Sequence, residues 1–446
     1  MKEYCLAVKN LMLDFMFKSS ERIIFTTFLL LCVFGGVLLV LPCSGNLSFI
    51  DALFSSFSGV CVTGLSVIDI SKDLTILGQV ILLMLIQVGG LSIMSISSII
   101  FFLLGKRMSL SYEKTARNMF NADSSSEIKE SLFSIFKYTF VVELLGIIIL
   151  FFRIFMLEHN ILFALKHSIF LAISAFCNAG FTLFSKNLIT YANDEIILFT
   201  ISILIILGGI APAIVFLFPK YLRREKLPPM FLIVFRTTIF LLIFGTFVYY
   251  IAEYNNTLEG MNFIDKISNS WFQSATTRTA GFNSVSLNSL NDTTYVLFLF
   301  LMVIGGSPGG MAGGIKTTTF AILAITCYNT ILGRKNIIRN KEIAPETIYK
   351  AISLIFVYVG IIILSTTILL TTQTIPTKKL LFEVVSAIGT VGLSMDITPY
   401  FNIIGKIVII TTMFLGRVLP AIFICYLNSK TKEVGLSYPQ AKILLT

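Results

Sequence analysis

The sequence predicts an all-α membrane protein built as four repeated units with fourfold pseudosymmetry about one axis. Three observations lead there. The chain has 446 residues, of which 56% are hydrophobic and only 13% charged, and its mean hydropathy is +0.88. A soluble domain of this length cannot keep such a surface in water. Apolar runs of about twenty residues recur along it, the length that crosses a hydrocarbon core of about 30 Å. Four short motifs then recur at intervals of roughly one hundred residues, which marks an internal repeat. They are Val62-Thr63-Gly64-Leu65, Asn178-Ala179-Gly180-Phe181, Thr279-Ala280-Gly281-Phe282 and Thr390-Val391-Gly392-Leu393. A large aromatic stands ten residues before each glycine: Phe54, Phe170, Trp271 and Phe382.

In chain order the spans are Ile23 to Leu41, Leu77 to Leu104, Leu132 to Phe152, Ile196 to Phe218 and Phe231 to Ile251. Tyr295 to Ile304 with its continuation, Ile352 to Leu370 and Ile403 to Tyr426 complete the set. The net charge of +10 is no nucleic-acid footprint, because the basic residues gather between spans. They cluster at Lys2, Lys9, Lys18 and Arg22; at Lys106, Arg107, Lys114 and Arg117; at Lys220, Arg223, Arg224 and Lys226; at Arg334, Lys335, Arg339 and Lys341; and at Lys430, Lys432 and Lys442. Cytoplasmic segments carry such an excess, so both termini are expected inside and all four motifs are approached from outside. The chain divides accordingly into a cytoplasmic N-terminal segment (1–22), repeats at 23–105, 130–219, 230–330 and 350–427, and a cytoplasmic tail (428–446). Seven scattered cysteines show no paired spacing and fit neither a disulfide framework nor a zinc site.

Between two cytoplasmic clusters the chain must leave and return, which uses two spans. A semi-apolar stretch remains between them and ends at the motif, as in Asp265 to Thr279. At 1.5 Å per residue, roughly fifteen residues are too short to cross. The stretch fits a re-entrant helix that dips halfway, turns at the glycine and climbs back extended. Irregular backbone at membrane depth is tolerated only where protein or a water-filled cavity surrounds it. Four such loops on one axis would line a central pore, with backbone carbonyls replacing the hydration shell of a cation. Short helices aiming their negative C-terminal ends at the centre would favour that cation. Glycine suits the turn because it tolerates strained dihedrals and close approach. Taken one at a time, the glycines also fit ordinary helix packing; four in register between paired spans favour the pore.

With these motifs on the page, the span–pore-loop–span pattern resembles the Trk/Ktr/HKT superfamily of potassium transporters over nearly the whole chain, from about Ile23 to Tyr426. Gly305-Gly306-Ser307-Pro308-Gly309-Gly310-Met311-Ala312-Gly313-Gly314-Ile315-Lys316 is similar to the family's intramembrane loop, and Arg417 to its functional arginine in the last span. The short N-terminal segment is similar to that of the membrane subunits of bacterial Ktr systems. The resemblance implies K+ as substrate, with Val62, Thr63, Gly64, Asn178, Ala179, Gly180, Thr279, Ala280, Gly281, Thr390, Val391 and Gly392 as the filter. Glycine at position 64, where sodium-favouring members have serine, implies potassium selectivity. It further implies a bacterial inner-membrane location, a homodimer, and a cytosolic octameric KtrA-like ring that binds nucleotides. Na+ is a possible activator on the same ground.

Within the Gly305–Thr319 stretch, six glycines, Ser307 and Pro308 prevent continuous helix. A mobile segment below the filter is expected, occluding the pore and moving aside to open it; a static kink is the alternative. The stretch is no phosphate loop, because Ile315 separates Gly314 from Lys316 and no strand precedes it. Lys316 and Arg417 are charges at membrane depth, where such residues are expensive and functional. Arg417 has the more apolar flanks, whereas Lys316 either faces the pore or snorkels to the interface. Arg278 is expected to tie to a neighbouring pore helix. Glu143 and Glu383 read either as ion-relay groups or as hydrogen-bonded buried acids. Asp69 and Asp396 fall in the outer vestibule, and His159 and His167 near the outer interface.

Among other function classes, an alternating-access symporter also has repeats and broken helices. Its repeats are often inverted, while these motifs all enter from one side. A membrane-embedded enzyme lacks an inventory here: two histidines, no cysteine cluster and no paired acids within the spans.

Overall fold

The structure is a computed structural model and describes residues 20–91, 125–338 and 341–429. The order of a helix, a short helix, an irregular loop and a further helix occurs four times. The first unit holds α1 (Ser20–Val40), α2 (Phe49–Val60), the single-turn α3 (Ile70–Asp73) and α4 (Ile76–Gly90). The second holds α5 (Ser125–Glu158), α6 (Ile161–Phe176) and α7 (Glu195–Gly209), followed by the short α8 (Pro212–Val215) and α9 (Phe218–Leu222). The third holds α10 (Pro229–Glu253), α11 (Phe263–Thr276), α12 (Asp292–Val303) and α13 (Thr317–Ile331). A two-residue hairpin, β1 (Ile337–Ile338) against β2 (Lys341–Glu342), leads to α14 (Pro345–Thr372), α15 (Thr377–Gly389) and α16 (Ile403–Ser429).

Local sequence sets where the helices begin. Ser48, Thr75, Asn160 and Asp194 cap α2, α4, α6 and α7, each accepting a hydrogen bond from the third residue of its helix or close to it. Such caps satisfy donors that the first turn leaves free. Among the described residues, four helical stretches are long and apolar enough to span: Glu130–Glu158, Pro229–Glu253, Pro345–Thr372 and Ile403–Phe423. Their outer faces leave large side chains exposed, such as Phe133, Phe140, Phe247, Phe356 and Leu364. An exposed apolar band of this extent needs a lipid environment. The short helices α2, α6, α11 and α15 have 12, 16, 14 and 13 residues. None of these crosses a bilayer.

Packing joins the units in a fixed order. The first helix of each unit packs on its own short helix: α1 on α2, α5 on α6, α10 on α11, α14 on α15. Each later helix packs on the short helix of the next unit: α4 on α6, α7 on α11, α12 on α15, and α16 back on α2. Three of the four repeat aromatics are buried (Phe54, Phe170 and Phe382), while Trp271 is half-buried and stacks on Phe199 at 6.2 Å between ring centres.

The helix limits differ from the hydropathy runs in two places. Ile196 to Phe218 reads as one span, yet α7 ends at Gly209 and the chain turns by 100° into Pro212–Leu222. Proline at the start of α8 removes a backbone donor, and Gly208-Gly209 ahead of it weakens the helix. Leu77 to Leu104 reads as a single span as well; α4 ends at Gly90, and positions 92–124 lie outside the described residues. So do the basic residues before Arg22, those of Lys106 to Arg117, Arg339, and Lys430, Lys432 and Lys442.

Candidate functional site

The four glycine motifs follow the C-terminal ends of α2, α6, α11 and α15 and share one backbone path. Two residues before each glycine stands a residue with left-handed φ: Val62 (56°), Asn178 (60°), Thr279 (72°) and Thr390 (49°). The glycines themselves have φ of 94°, 72°, 77° and 92°, a region that side chains resist. The same two-step turn recurs in all four tetrapeptides. Backbone N–H groups turn toward the parent helix. Thr63, Ala179 and Val391 donate to the carbonyls of Ser58 (2.8 Å), Ser174 (2.7 Å) and Ser386 (2.8 Å), and Ala280 donates to Thr276 (2.9 Å). Side chains extend the tie: Gly64 and Gly392 donate to Ser58 Oγ (3.1 Å) and Ser386 Oγ (3.0 Å).

The loops also meet one another. A Cβ on Gly180 would lie 2.6 Å from the Ala280 oxygen, and one on Gly281 would lie 2.5 Å from the Val391 oxygen. On Gly64 it would press closer still on the Ala179 oxygen, and on Gly392 on the Thr63 oxygen. First meets second, second third, third fourth, and fourth first. All twelve motif residues Val62–Gly64, Asn178–Gly180, Thr279–Gly281 and Thr390–Gly392 are thus brought together. The hydroxyls of Thr63, Thr279 and Thr390 are buried with no protein partner.

Above the ring lies an open cavity of about 590 Å³, lined by all four glycines and by Asp69, Asp73 and Asp396. Asp69 caps α3 by accepting from Ser71 N at 3.0 Å and pairs with Lys72 at 3.2 Å. Burial alone would raise its pKa, but hydrogen bonds from Ser71, Ser185 and Lys72 outweigh it and hold the carboxyl below its usual value.

Beneath the ring the chain between α12 and α13 is non-helical and buried. Gly305 N donates to Ile315 O (2.9 Å) and Ile315 N to Val303 O (3.1 Å), closing the segment into a loop. Gly306, Ser307, Pro308, Gly309 and Gly310 lie on one limb and Gly313 and Gly314 on the other. A Cβ on Gly313 would collide with the Thr390 side chain, so the loop abuts the fourth motif directly. On its other side the loop is stitched to the second unit's break. Ser307 N donates to Gly209 O (2.9 Å), Met311 N to Gly208 O (3.0 Å), and Ala211 N to Ser307 Oγ (2.6 Å). Arg417, midway along α16, donates to the Met311 carbonyl and, at 2.8 Å, to the Gly89 carbonyl. Its guanidinium therefore links loop, fourth unit and first unit.

The other charged candidates find local partners. Lys316 turns back on its own loop and donates to Ala312 O at 2.6 Å instead of snorkelling. Arg278 ties to no neighbouring short helix: its guanidinium reaches the carbonyls of Thr238 (3.5 Å) and Gly305 (3.4 Å), because α10 and the loop enclose it. Glu143 accepts from Gln87 Nε2 at 3.2 Å. His167 is buried rather than interfacial, stacked between Phe163 and Phe184 with ring centres 3.8 and 4.6 Å away. Sequence reasoning missed Gly89 and Gly208. A Cβ on either would strike the C-terminal carbonyl of its own unit's short helix, at Val60 and Phe176, as one on Gly416 would strike Ile388. The signal was present in the Gly-Gly pairs at 89–90 and 208–209.

Fold and site together define a polytopic helical membrane protein in which four irregular loops converge between an open cavity and a buried glycine-rich segment. The sequence matches the family described as TrkH, cation transport protein, over residues 12–425, and the chain belongs to that family. It is 34% identical to the potassium/sodium uptake protein NtpJ of Enterococcus hirae, covering 96% of this chain and 97% of that one. It is also 34% identical to the Ktr system potassium uptake protein B of Bacillus subtilis, covering 95% and 96%. Among solved structures, the potassium transporter TrkH from Vibrio parahaemolyticus superposes with a TM-score of 0.72 at 19% identity, over 92% of this chain and 84% of that one. That likeness concerns the fold.

Proposed function

We propose that this chain takes up potassium across the cytoplasmic membrane of a bacterium through one gated pore with fourfold pseudosymmetry. The observation that supports it most is the closed ring of four glycine turns, each too close to the next loop's carbonyl for any side chain. With the N–H groups bonded to the parent helices, the carbonyls are free to face the axis and take over an ion's hydration shell. Four helix C-termini direct negative partial charge at the same point. The unpartnered hydroxyls of Thr63, Thr279 and Thr390 add oxygen ligands of the same kind. Transport needs no bond to be made or broken, so the residues act only by coordination, desolvation and gating.

The loop from Gly305 to Lys316 closes the path from below. Its contact with Thr390 blocks the exit, and the carbonyl ties to Gly208, Gly209 and Arg417 hold it there. Opening requires those ties to be exchanged. Relatives named for potassium uptake in a Ktr system support assembly with a cytosolic nucleotide-binding ring, and a relative named for potassium and sodium supports sodium as an activator. Homodimerisation, cytoplasmic termini and the four repeat boundaries belong to the same reading.

Potassium uptake by transport-deficient cells expressing the chain tests it, with rubidium and sodium as competitors and Gly64→Ser alongside. Saturable uptake, blocked better by rubidium than by sodium and less selective in the variant, is expected. Unchanged selectivity in a well-expressed, active Gly64→Ser protein would remove Gly64 from the ion path.

A further inference from the structure

The outer wall behind the fourth loop holds a carboxyl that the pore described above does not use. Glu383 lies on α15, nine residues before Gly392, and is fully buried. Its Oε1 accepts a hydrogen bond from the Thr398 hydroxyl, while Oε2 has no protein partner. With that proton given to Glu383, Thr398 Oγ1 accepts from the Ser394 hydroxyl, 3.0 Å away. Ser394 stands two residues beyond Gly392, and Ser394, Asp396 and Thr398 all line the outer cavity. The carboxyl therefore bridges the helix that enters the fourth loop and the segment that leaves it.

In the third unit the position matching Glu383 is Phe272, and an uncharged polar side chain stands one place later. Gln273, eight residues before Gly281, donates to Ser284 Oγ at 3.2 Å, and Ser284 donates to Asn269 Oδ1 at 2.6 Å. In the first and second units the positions matching Glu383 are Ser55, bonded within its own helix to Asp51 O, and Leu171. An acid buried at membrane depth is expensive, and an amide would satisfy the Thr398 hydroxyl at lower cost. The acid is thus set where its hydrogen bond with Thr398 acts on one filter loop.

We propose that Glu383 is a specificity-determining positioning residue. Through Thr398 it fixes the outer limb of the fourth loop, and so the radius at which the Gly392 end of the carbonyl ring discriminates between potassium and sodium. This role rests on the filter reading and goes beyond it, because the residue touches no ion.

The test measures potassium uptake and sodium competition in transport-deficient cells for Glu383→Ala, Glu383→Gln, Thr398→Val, Thr398→Ser and the Glu383→Ala/Thr398→Val double variant. Membrane abundance is quantified for each. Glu383→Ala and Thr398→Val are each expected to lower the potassium-over-sodium preference on the order of threefold to tenfold. The double variant should be no worse than either, since both remove one link. Thr398→Ser should restore most of the preference and Glu383→Gln should fall between. A merely structural role would lower abundance and maximal uptake but leave the preference intact, and that result overturns the assignment. Additive losses in the double variant overturn it too. If Glu383→Ala fails to reach the membrane, the near-isosteric Thr398→Val and Glu383→Gln decide alone. Gly64→Ser separates the two levels: a shift there without one at Glu383 or Thr398 rejects this role only, and no shift there rejects the filter.

Discussion

Arg417 shows how a single charge in a span acquires a task. Its flanks are apolar, and burial of a guanidinium is tolerated only if its donors find acceptors. The acceptors here are carbonyls freed by broken helices, Met311 in the loop and Gly89 at the end of α4. Arg417→Gln keeps polarity but cannot span both, so the loop is expected to open more often. Several-fold faster potassium uptake at equal abundance would show it; unchanged or slower uptake would assign Arg417 to folding alone. Asp69 provides a second residue-level expectation. Because its folded pKa is lowered, its stabilising contribution is complete above the unfolded value of about 3.9 and is lost only as pH falls through the lowered folded value. The carboxylate therefore stays charged across the physiological range. Asp69→Asn should raise the apparent KM for potassium about twofold at low ionic strength and less at high salt, as expected of a screened vestibule charge.

At the scale of elements, the two interrupted spans explain each other. Where α7 stops, Gly208, Gly209 and Ala211 expose backbone groups at membrane depth, and the loop after α12 satisfies them. The Ala211 N–H depends on the Ser307 hydroxyl, and Pro212 beside it has no N–H to offer. Ser307→Ala should leave that buried donor unpaired, at about 1–3 kcal/mol. A lower melting temperature in detergent together with faster uptake is expected, whereas a lower melting temperature with unchanged uptake would make the stitch static. The third unit's break was legible in six glycines and a proline. The second was hidden inside an apolar run with high mean hydropathy, since hydropathy averages over a two-glycine interruption.

For the whole molecule, the order of contacts closes fourth to first. The half-buried Lys406 on α16 pairs with Asp51 on α2, across 355 positions of sequence. Exposed pairs contribute little, and partial burial raises the value toward about 1 kcal/mol. Asp51→Asn should therefore lower the detergent melting temperature measurably, while Asp292→Asn, which breaks the exposed pair with Lys378, should leave it unmoved. The reverse order would place the stabilising joint between third and fourth units.

Hydropathy, charge distribution and four recurrent glycines are local or periodic properties, and they were enough for the membrane class and the family. Which loop touches which, where Arg278 and Arg417 find acceptors, and why Glu383 is tied to Thr398 could not be read that way. Those pairings join residues 15 to 328 positions apart, and they depend on which backbone groups remain unpaired once the helices have broken and packed. In a membrane such groups must be satisfied within the protein, so the partners were chosen by long-range packing and not by any neighbour in the chain.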